Sequence, residues 1–215
     1  MPTFPLLLCA AALPALEINF DRAKPGAVPP GWTVAMTHQG GPPKWEVLAD
    51  PSAPSRPKVL AQTSTDATSG RFPLAIREDS ILNDGAVSVR FKPVAGTHDQ
   101  AAGIVWRYKD PDNYYIVRAN ALEDNVVLYK VEAGKRQSLA PKSTPSKTYG
   151  VKHKVPKQAW STLKVTFSGS LFTVYFDGQK LFEVEDATFP GAGKVGLWTK
   201  ADSVTFFDDF SVLKQ

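Results

Sequence analysis

The sequence predicts an all-β protein folded as a two-sheet antiparallel jelly-roll sandwich. No segment carries a sustained apolar period of 3.6 residues, short runs alternate with a period of two, and turn residues recur between them. The clearest runs lie in 102–131, where segments rich in Val, Ile, Tyr and Trp are separated by 110–113 and 123–124. These three runs predict an antiparallel meander.

The other runs predict further strands on both sides of the meander. They are expected at 16–21, 32–36, 44–48, 58–62, 72–76, 85–93, 160–167, 171–176, 180–185, 193–200 and 204–213. Asp177-Gly178 is typical of a two-residue type I′ hairpin turn, because both residues tolerate left-handed dihedral angles. The Phe-rich last run is expected to pair with the first, which brings the ends of the domain together.

Alternation within the meander divides its side chains into two sets. The apolar set is expected to face the core: Ile104, Trp106, Tyr108, Tyr115, Val117, Ala119, Val126 and Leu128. The mixed set is expected on the opposite face: Val105, Arg107, Tyr114, Ile116, Arg118, Asn120, Asn125, Val127 and Tyr129. Planar donors, amides and rings together suit a polar, ring-shaped ligand such as a sugar. The simpler interpretation, which the sequence favours, is that Arg107 and Arg118 lie over tyrosine rings and tie strands together.

Length and composition indicate one globular domain over 16–215 that follows a signal peptide at 1–15. Hydrophobic residues make up 43% of the chain and charged residues 21%. Leu6 to Leu13 form the apolar part of the signal, and Ala10 and Ala12 give a small-x-small cleavage site, although no basic residue precedes them. The alternative is an N-terminal strand or tail. Removal of 1–15 would also remove Cys9, the only cysteine.

This segment predicts a secreted or periplasmic protein without a membrane span, since no apolar run approaches the roughly 20 residues that a span needs. We expect a monomer.

Positive charge is concentrated in the segment 134–158. It contains Lys135, Arg136, Lys142, Lys147, Lys152, Lys154 and Lys157 and no acidic residue, whereas the rest of the chain has 18 basic and 21 acidic residues. Such a segment could hold an anionic polymer as an adhesive module, but a merely soluble loop is the favoured interpretation. The basic residues are not interleaved with aromatic ones, so nucleic acid is not an expected partner.

Three groups of phrases resemble one superfamily. They are NFD…GAVPPGW near the start, AGIVWRYKDPDNYYIVRAN in the middle, and WSTLKVTF…FDG…GKVGLWTKADS…FDDF at the end. They are similar to the concanavalin A-like lectin/glucanase superfamily, and within it to laminin G-like and 3-keto-disaccharide hydrolase-like domains. The resemblance covers about 18–212 and implies two antiparallel sheets, one of them curved, with a concave face that often meets sugars.

On that template the mixed face of the meander would be concave, and Trp198 and Lys200 would join it. The predicted carbohydrate-binding residues are therefore Arg107, Tyr114, Arg118, Asn120, Asn125, Tyr129, Trp198 and Lys200. Tyr114, Tyr129 and Trp198 would stack on sugar rings, and the polar side chains would supply hydrogen bonds.

Catalytic members of this superfamily carry Glu-x-Asp-x-x-Glu on one strand, and this chain does not. Glu183, Glu185 and Asp186 come nearest, in the wrong order. We therefore predict a domain that binds carbohydrate without cleaving it. The alternative is a hydrolase of the 3-keto-disaccharide type, with an acid at the rim of the concave face: Glu123, Asp124 or Asp202.

Calcium is the one cofactor that the sequence suggests. Asp21 near the first strand and Asp208 and Asp209 on the last would converge if these strands pair, and their hard oxygens suit the ion. The favoured alternative is that the three aspartates cap turns or accept backbone amide hydrogens. His38, His98 and His153 lack metal-ligand spacing.

Overall fold

The computed structural model describes residues 15–215, so all of the predicted signal peptide except Ala15 lies outside the described residues. The described chain consists of sixteen strands joined by turns and loops, and contains no helix. The strands are β1 (Leu16–Ile18), β2 (Trp32–Thr37), β3 (Trp45–Ala49), β4 (Lys58–Gln62), β5 (Phe72–Leu82), β6 (Gly85–Ala95), β7 (Ala101–Asp110), β8 (Asn113–Asn120), β9 (Asn125–Glu132), β10 (Lys135–Leu139), β11 (Val151–Lys152), β12 (Ser161–Ser168), β13 (Leu171–Phe176), β14 (Gln179–Glu185), β15 (Gly193–Trp198) and β16 (Val204–Lys214). Accordingly, residues 15–215 offer no helix with the length and apolarity that crossing a bilayer requires.

The strands form two antiparallel sheets of eight strands each. In the first sheet the order is β14-β13-β12-β6-β16-β4-β3, with β1 added to β16. In the second sheet it is β10-β9-β8-β7-β15-β5-β2, with β11 added to β9. The meander β7-β8-β9 lies in the second sheet. Two packed antiparallel sheets without helices confirm the predicted all-β sandwich.

Two further predictions are confirmed, and one segment differs from its prediction. Strand β1 pairs with β16, with Leu16 opposite Val212. Asp177 and Gly178 have φ of 46° and 80°, as a type I′ turn requires. The basic segment is not a plain loop, because it contains β10 and β11. Strand β10 has a polar sequence without apolar alternation and lies at the sheet edge, so periodicity could not reveal it.

The main core lies between the sheets and is centred on Trp106, which is fully buried. Its ring stacks on Tyr115 at 5.4 Å and on Phe167 at 6.1 Å, and meets Phe172 edge-on at 5.3 Å. These rings come from the meander and from the hairpin β12-β13, so the aromatic contacts join the two sheets. The apolar set of the meander faces this core as predicted, with the exception of Tyr108.

A β-bulge in β7 causes that exception. Arg107 has φ of 48°, and the register between β7 and β8 shifts between Trp106 and Asp110. Arg107 therefore turns toward the core, with its guanidinium 5.5 Å from the Phe172 ring centroid. Tyr108 turns to the opposite face, where its ring lies 6.0 Å from that of Tyr114. The predicted faces of Arg107 and Tyr108 are wrong, because a bulge adds one residue and inverts the alternation.

The face of the second sheet that points away from the core is strongly concave. In a flat sheet, β10 and β5 would be about 24 Å apart, five strand spacings. Instead the guanidinium of Arg136 in β10 lies 4.7 Å from the ring centroid of Phe72 in β5. His38, just after β2, places Nε2 2.6 Å from the carbonyl oxygen of Gly134 between β9 and β10. Opposite edges of the sheet thus meet.

This curvature buries a second apolar cluster, which we call the concave-face cluster. It consists of Phe72, Leu74, Ile76, Ala101, Val105, Tyr114, Ile116, Val127, Tyr129, Val131 and Trp198. The mixed set of the meander, apart from Arg107, occupies this face, as predicted.

Candidate functional site on the concave face

Polar side chains gather at the end of the concave face where β8 passes into β9. We call them the polar cluster: Asp99, Arg118, Asn120, Glu123, Asn125, Tyr149 and Lys200, with the hydroxyl of Tyr129. Alternate positions of β8 and β9 place their members on one face. The tight β8-β9 turn, in which Asp124 has φ of 47°, brings Glu123 over the same end. The cluster contains five of the eight predicted binding residues.

Arg118 is the centre of the polar cluster and is only 2% exposed. Its Nη2 donates to Glu123 Oε2 at 2.7 Å, to the Tyr149 hydroxyl at 3.0 Å and to the Tyr129 hydroxyl at 3.1 Å. Its Nη1 donates to Asn125 Oδ1. The guanidinium carbon also lies 5.8 Å from the Tyr129 ring centroid. Arg118 therefore ties β8, β9 and the basic segment together, as the structural interpretation of the sequence anticipated.

Glu123 is the carboxylate that the cluster presents to solvent, with 38% of its side chain exposed. Asn120 Nδ2 donates to its Oε1 at 3.1 Å, and Asn125 Nδ2 donates to its Oε2 at 3.0 Å. Burial alone would raise the pKa of Glu123, but the charge of Arg118 and hydrogen bonds from Asn125 and Arg118 hold the pKa below its ordinary value. Glu123 is thus an ionised, oriented hydrogen-bond acceptor at neutral pH.

The loop between β6 and β7 supplies the second ion pair of the cluster. Lys200 Nζ lies 2.8 Å from Asp99 Oδ2, and Asn120 Nδ2 donates to Asp99 Oδ1 at 2.8 Å. Asp99 is only 5% exposed at its side chain, whereas Lys200 is 22% exposed. Lys200 therefore lies at the rim, held in place by a buried carboxylate.

The predicted aromatic platform is not available for stacking in this structure. Tyr114 and Trp198 are 0% exposed and Tyr129 is 2% exposed, because the sheet curls over them. A sugar ring needs an accessible ring face, so the predicted stacking role of these three residues is wrong. The accessible ring of the cluster belongs to Tyr149, which is 48% exposed and meets Tyr129 edge-on at 6.0 Å.

Tyr149 is not among the predicted site residues, because it lies in the basic segment, outside any alternating strand. The only signal was an isolated aromatic residue in a stretch otherwise rich in Lys, Pro, Ser and Thr. The curvature of the sheet carries this distant residue onto the face of the meander, where its hydroxyl also contacts that of Tyr129.

Arg136 is the second missed residue, and it lies over the concave-face cluster. Its guanidinium carbon is 4.5 Å from the ring centroid of Tyr129, 4.7 Å from that of Phe72 and 5.9 Å from that of Trp198. It is paired with Val131 in the β9-β10 ladder, which places both side chains on the concave face. The residue is partly exposed. A cation thus covers the three rings from the sheet edge.

Arg107 does not belong to the polar cluster, contrary to the sequence prediction. Its guanidinium donates to the carbonyl oxygens of Gly169 at 2.6 Å, Phe189 at 2.8 Å and Asn83 at 3.2 Å. It is 1% exposed and lies on the core side of the bulge. These hydrogen bonds connect Arg107 to three other chain segments, so its role is structural.

The predicted aspartate site is not assembled as a metal centre. Asp208 is fully buried, and its carboxylate accepts hydrogen bonds from the backbone N–H and the hydroxyl of Ser55, each at 2.9 Å. Asp21 accepts the N–H of Lys58 at 3.2 Å. Burial and the neighbouring Asp208 raise the pKa of Asp209.

Within residues 15–215 no group of three or more His, Cys, Asp or Glu side chains is arranged to hold a metal ion. The calcium site that the sequence suggested, as the less favoured interpretation, is therefore not formed by these three aspartates. Pairing of β1 with β16 does bring the two ends of the described chain together, but the carboxylates of Asp21 and Asp208 serve as acceptors for backbone amides.

The three candidate acids of the hydrolase alternative all have lowered pKa values. Glu123 is held ionised by Arg118. The pKa of Asp124 is lowered by Lys154, which pairs with it at 2.9 Å. Burial would raise the pKa of Asp202, but hydrogen bonds from the backbone N–H groups of 97–99 lower it. A general acid needs a raised pKa, so these three carboxyls do not favour acid catalysis.

Part of the charge of the basic segment is neutralised locally. Lys142 pairs with Glu185 at 3.3 Å and Lys154 with Asp124 at 2.9 Å. Lys152 Nζ donates to the backbone carbonyl of Glu123 at 3.2 Å. These contacts attach the segment to β14 and to the β8-β9 turn, so it supports the site as well as carrying charge.

Comparison with solved structures supports the fold assignment. The carbohydrate-binding module CBM66 from Bacillus subtilis aligns with a TM-score of 0.61 and 20% identity, over 86% of this chain and 96% of that one. A protein of unknown function with a galectin-like fold from the same organism aligns at 0.52, with 12% identity over 86% and 90% of the two chains. Domain 4 of AbnA, a GH43 extracellular arabinanase from Geobacillus stearothermophilus solved in complex with arabinotriose, aligns at 0.51, with 16% identity over 85% and 82%.

These likenesses establish a β-sandwich of the kind found in carbohydrate-binding modules and galectin-like proteins, in agreement with the resemblance to the concanavalin A-like superfamily. No protein-family model and no curated protein matches the sequence. The narrower likeness to laminin G-like or 3-keto-disaccharide hydrolase-like domains stays a prediction.

Proposed function

We propose that this chain is a carbohydrate-binding β-sandwich domain whose site is the polar cluster at the end of the concave face. The observation that carries the proposal is the combination of Arg118, Glu123 and Tyr149. Here an ionised acceptor is held by a buried guanidinium beside a half-exposed aromatic ring. A sugar needs directional partners for its hydroxyls and an apolar surface for its C–H face. The carbohydrate-binding proteins among the structural neighbours support the same function.

The members of the cluster have different roles in this proposal. Glu123 accepts hydrogen bonds from sugar hydroxyls, Lys200 donates one from the rim, and Tyr149 packs on the ring. Asn120 is fully buried and donates its two amide hydrogens to Asp99 and Glu123. It therefore positions Glu123 and does not contact the sugar. Because these partners are fixed before binding, little side-chain freedom is lost when the ligand arrives.

We further propose that the domain acts outside the cytoplasm, as a secreted or periplasmic monomer, and that it binds glycans without cleaving them. The apolar run Leu6 to Leu13 and its small residues Ala10 and Ala12 support export. The lowered pKa values of Glu123, Asp124 and Asp202 support binding over acid catalysis.

Glycan binding by variants of the cluster tests this function. Tyr149→Ala removes the accessible ring and is expected to weaken binding about two- to tenfold, since aromatic packing contributes about 0.5–1.5 kcal/mol. Tyr149→Phe keeps the ring and should retain most of the affinity. Glu123→Gln removes the charged acceptor and is expected to cost 10-fold or more, about 1.5–3 kcal/mol for hydrogen bonds to a charged group.

The measurement is a glycan-array screen of 16–215, followed by calorimetry on the best ligand. Tyr175→Ala is the matched control, because Tyr175 is a partly exposed tyrosine of the first sheet, with Lys164 Nζ 5.5 Å from its ring centroid. If no glycan binds, or if Tyr149→Ala and Glu123→Gln bind as well as Tyr175→Ala, the proposed site is wrong.

A further inference from the structure

We propose that Arg136 makes this site selective for sugars that carry a carboxylate, such as uronic acids. The inference rests on the proposed function and deepens it, because it names the class of glycan. In the sequence, Arg136 stands out only as one of the charges of the basic segment.

Arg136 reaches the polar cluster through Tyr129. The Arg136 guanidinium carbon lies 4.5 Å from the ring centroid of Tyr129, and that of Arg118 lies 5.8 Å from the same centroid. The Tyr129 hydroxyl accepts a hydrogen bond from Arg118 and contacts the hydroxyl of Tyr149. Only Tyr129 therefore separates the Arg136 guanidinium from a sugar that packs on Tyr149 and bonds to Glu123.

Arg136 has no ionic partner of its own. None of the ion pairs among residues 15–215 includes it. Its Nη1 is buried and has no hydrogen-bond partner in that part of the chain. Two fully buried arginines differ, since Arg71 donates to three carbonyl oxygens and a serine hydroxyl, and Arg107 donates to three carbonyl oxygens. Arg118 also has an unpartnered Nε, but its other guanidinium nitrogens are hydrogen-bonded within the polar cluster. A buried donor without a partner is costly unless a ligand satisfies it.

The proposed site contains one more positive charge than negative charges, because Arg136 lacks an ionic partner. Arg118 is paired with Glu123 at 2.7 Å, and Lys200 with Asp99 at 2.8 Å. Arg136 adds a third positive charge to these two neutralised pairs. The site therefore carries a net positive charge at neutral pH, and a ligand anion would complete it.

The chemistry of a guanidinium favours a carboxylate over a hydroxyl as that partner. Its planar N–H groups match the two oxygens of a carboxylate, and such charge-assisted pairs are roughly twice as strong as neutral hydrogen bonds. The three rings beneath Arg136 hold its flat face by cation–π attraction. The low polarity of these rings strengthens an ion pair formed above them. In a purely structural role, Arg136 would only cover the rings, and ligand choice would not depend on it.

Paired oligosaccharides that differ only at C6 test this inference. The probes are immobilised glucuronate and glucose, galacturonate and galactose, and mannuronate and mannose oligomers at pH 7 and 0.15 M salt. We expect at least one acidic member to bind 10-fold or more tightly than its neutral partner. Arg136→Gln should abolish that preference and keep weak neutral binding, whereas Arg136→Lys should keep part of it, because charge remains but the two-pronged geometry is lost.

Lys135→Gln is the matched control, because it removes the same charge one residue away, on the opposite, exposed side of β10. It should keep the preference. Thermal unfolding of each variant checks that it is folded. Equal or tighter binding of the neutral members, or an acidic preference that survives Arg136→Gln, overturns the inference and leaves the proposed function intact. Absence of binding to every probe, acidic and neutral, overturns the proposed function itself.

Discussion

Asp202 is the residue whose replacement most directly tests how the site is held together. Its carboxylate accepts the backbone N–H groups of Thr97 at 2.6 Å, of Asp99 at 2.9 Å and of His98 at 3.1 Å. It also accepts the Thr97 hydroxyl at 2.9 Å. The side chain is 5% exposed. Asp202 thus fixes the loop whose Asp99 orients Lys200 in the polar cluster.

Asp202→Asn should destabilise the protein by about 3–6 kcal/mol. The substitution replaces one carboxylate oxygen by an amide donor that faces backbone donors. It therefore removes about two hydrogen bonds to a charged acceptor, each contributing about 1.5–3 kcal/mol, and the remaining oxygen still accepts. The matched control is Asp177→Asn, since Asp177 accepts one exposed backbone N–H, that of Thr162 at 2.6 Å. It should cost about 1 kcal/mol or less.

The pH dependence gives a second, independent signature. Burial acting alone would raise the pKa of Asp202, but the backbone N–H groups of 97–99 lower it below its ordinary value. In the unfolded chain the carboxyl of Asp202 has the ordinary aspartate pKa of about 3.9. Because the folded-state pKa is the lower one, the stabilisation is complete above that pH and is lost as pH falls through the folded-state pKa. The difference between wild type and Asp202→Asn should therefore be largest at pH 7 and shrink in acid.

Urea unfolding of the wild type, Asp202→Asn and Asp177→Asn at pH 7, 5 and 3 measures both effects. Calorimetry with the glycan found by the array screen then shows whether loss of the loop anchor also weakens binding. If Asp202→Asn is no less stable than Asp177→Asn at pH 7, or if the difference widens toward pH 3, the reasoning from these hydrogen bonds fails.

Two further predictions concern the packing at Gly196 and the protonation of Glu123. A Cβ at Gly196 would lie 2.4 Å from the carbonyl oxygen of Ala75, so Gly196→Ala should lower the free energy of unfolding by about 1–3 kcal/mol. Gly191→Ala, where nothing lies within 4 Å, should be neutral in the same urea experiment. Because Arg118 holds the pKa of Glu123 below its ordinary value, glycan binding should be constant from pH 8 to 5 and fall only below about pH 4.3. Calorimetric loss of affinity between pH 7 and 5 would show that another group controls binding.

The periodicity of the meander predicted most of the arrangement that places the site. Residues at alternate positions of β8 and β9, such as Arg118, Asn120 and Asn125, do lie on one concave face. Alternation is a local property of an extended backbone, so it is visible in the sequence wherever the strand is regular. It failed at Arg107, where a bulge inserts one residue and reverses the faces.

The accessible parts of the site could not be predicted in the same way. Tyr149 and Arg136 come from a polar segment without alternation, and they reach the meander only because the second sheet curls until its edges meet. The same curvature buries Tyr114 and Trp198, which local patterning placed on an open surface. Exposure depends on what another part of the chain covers, and a pattern within one strand carries no information about that.

The sequence by itself determined the all-β class, the strands of the meander and the type I′ turn at Asp177-Gly178. Each of these follows from local backbone preference and side-chain alternation. Only the tertiary structure decided which polar groups meet and which rings remain accessible. Those outcomes depend on the curvature of an eight-stranded sheet, which accumulates from small twists between neighbouring strands over residues far apart in the chain.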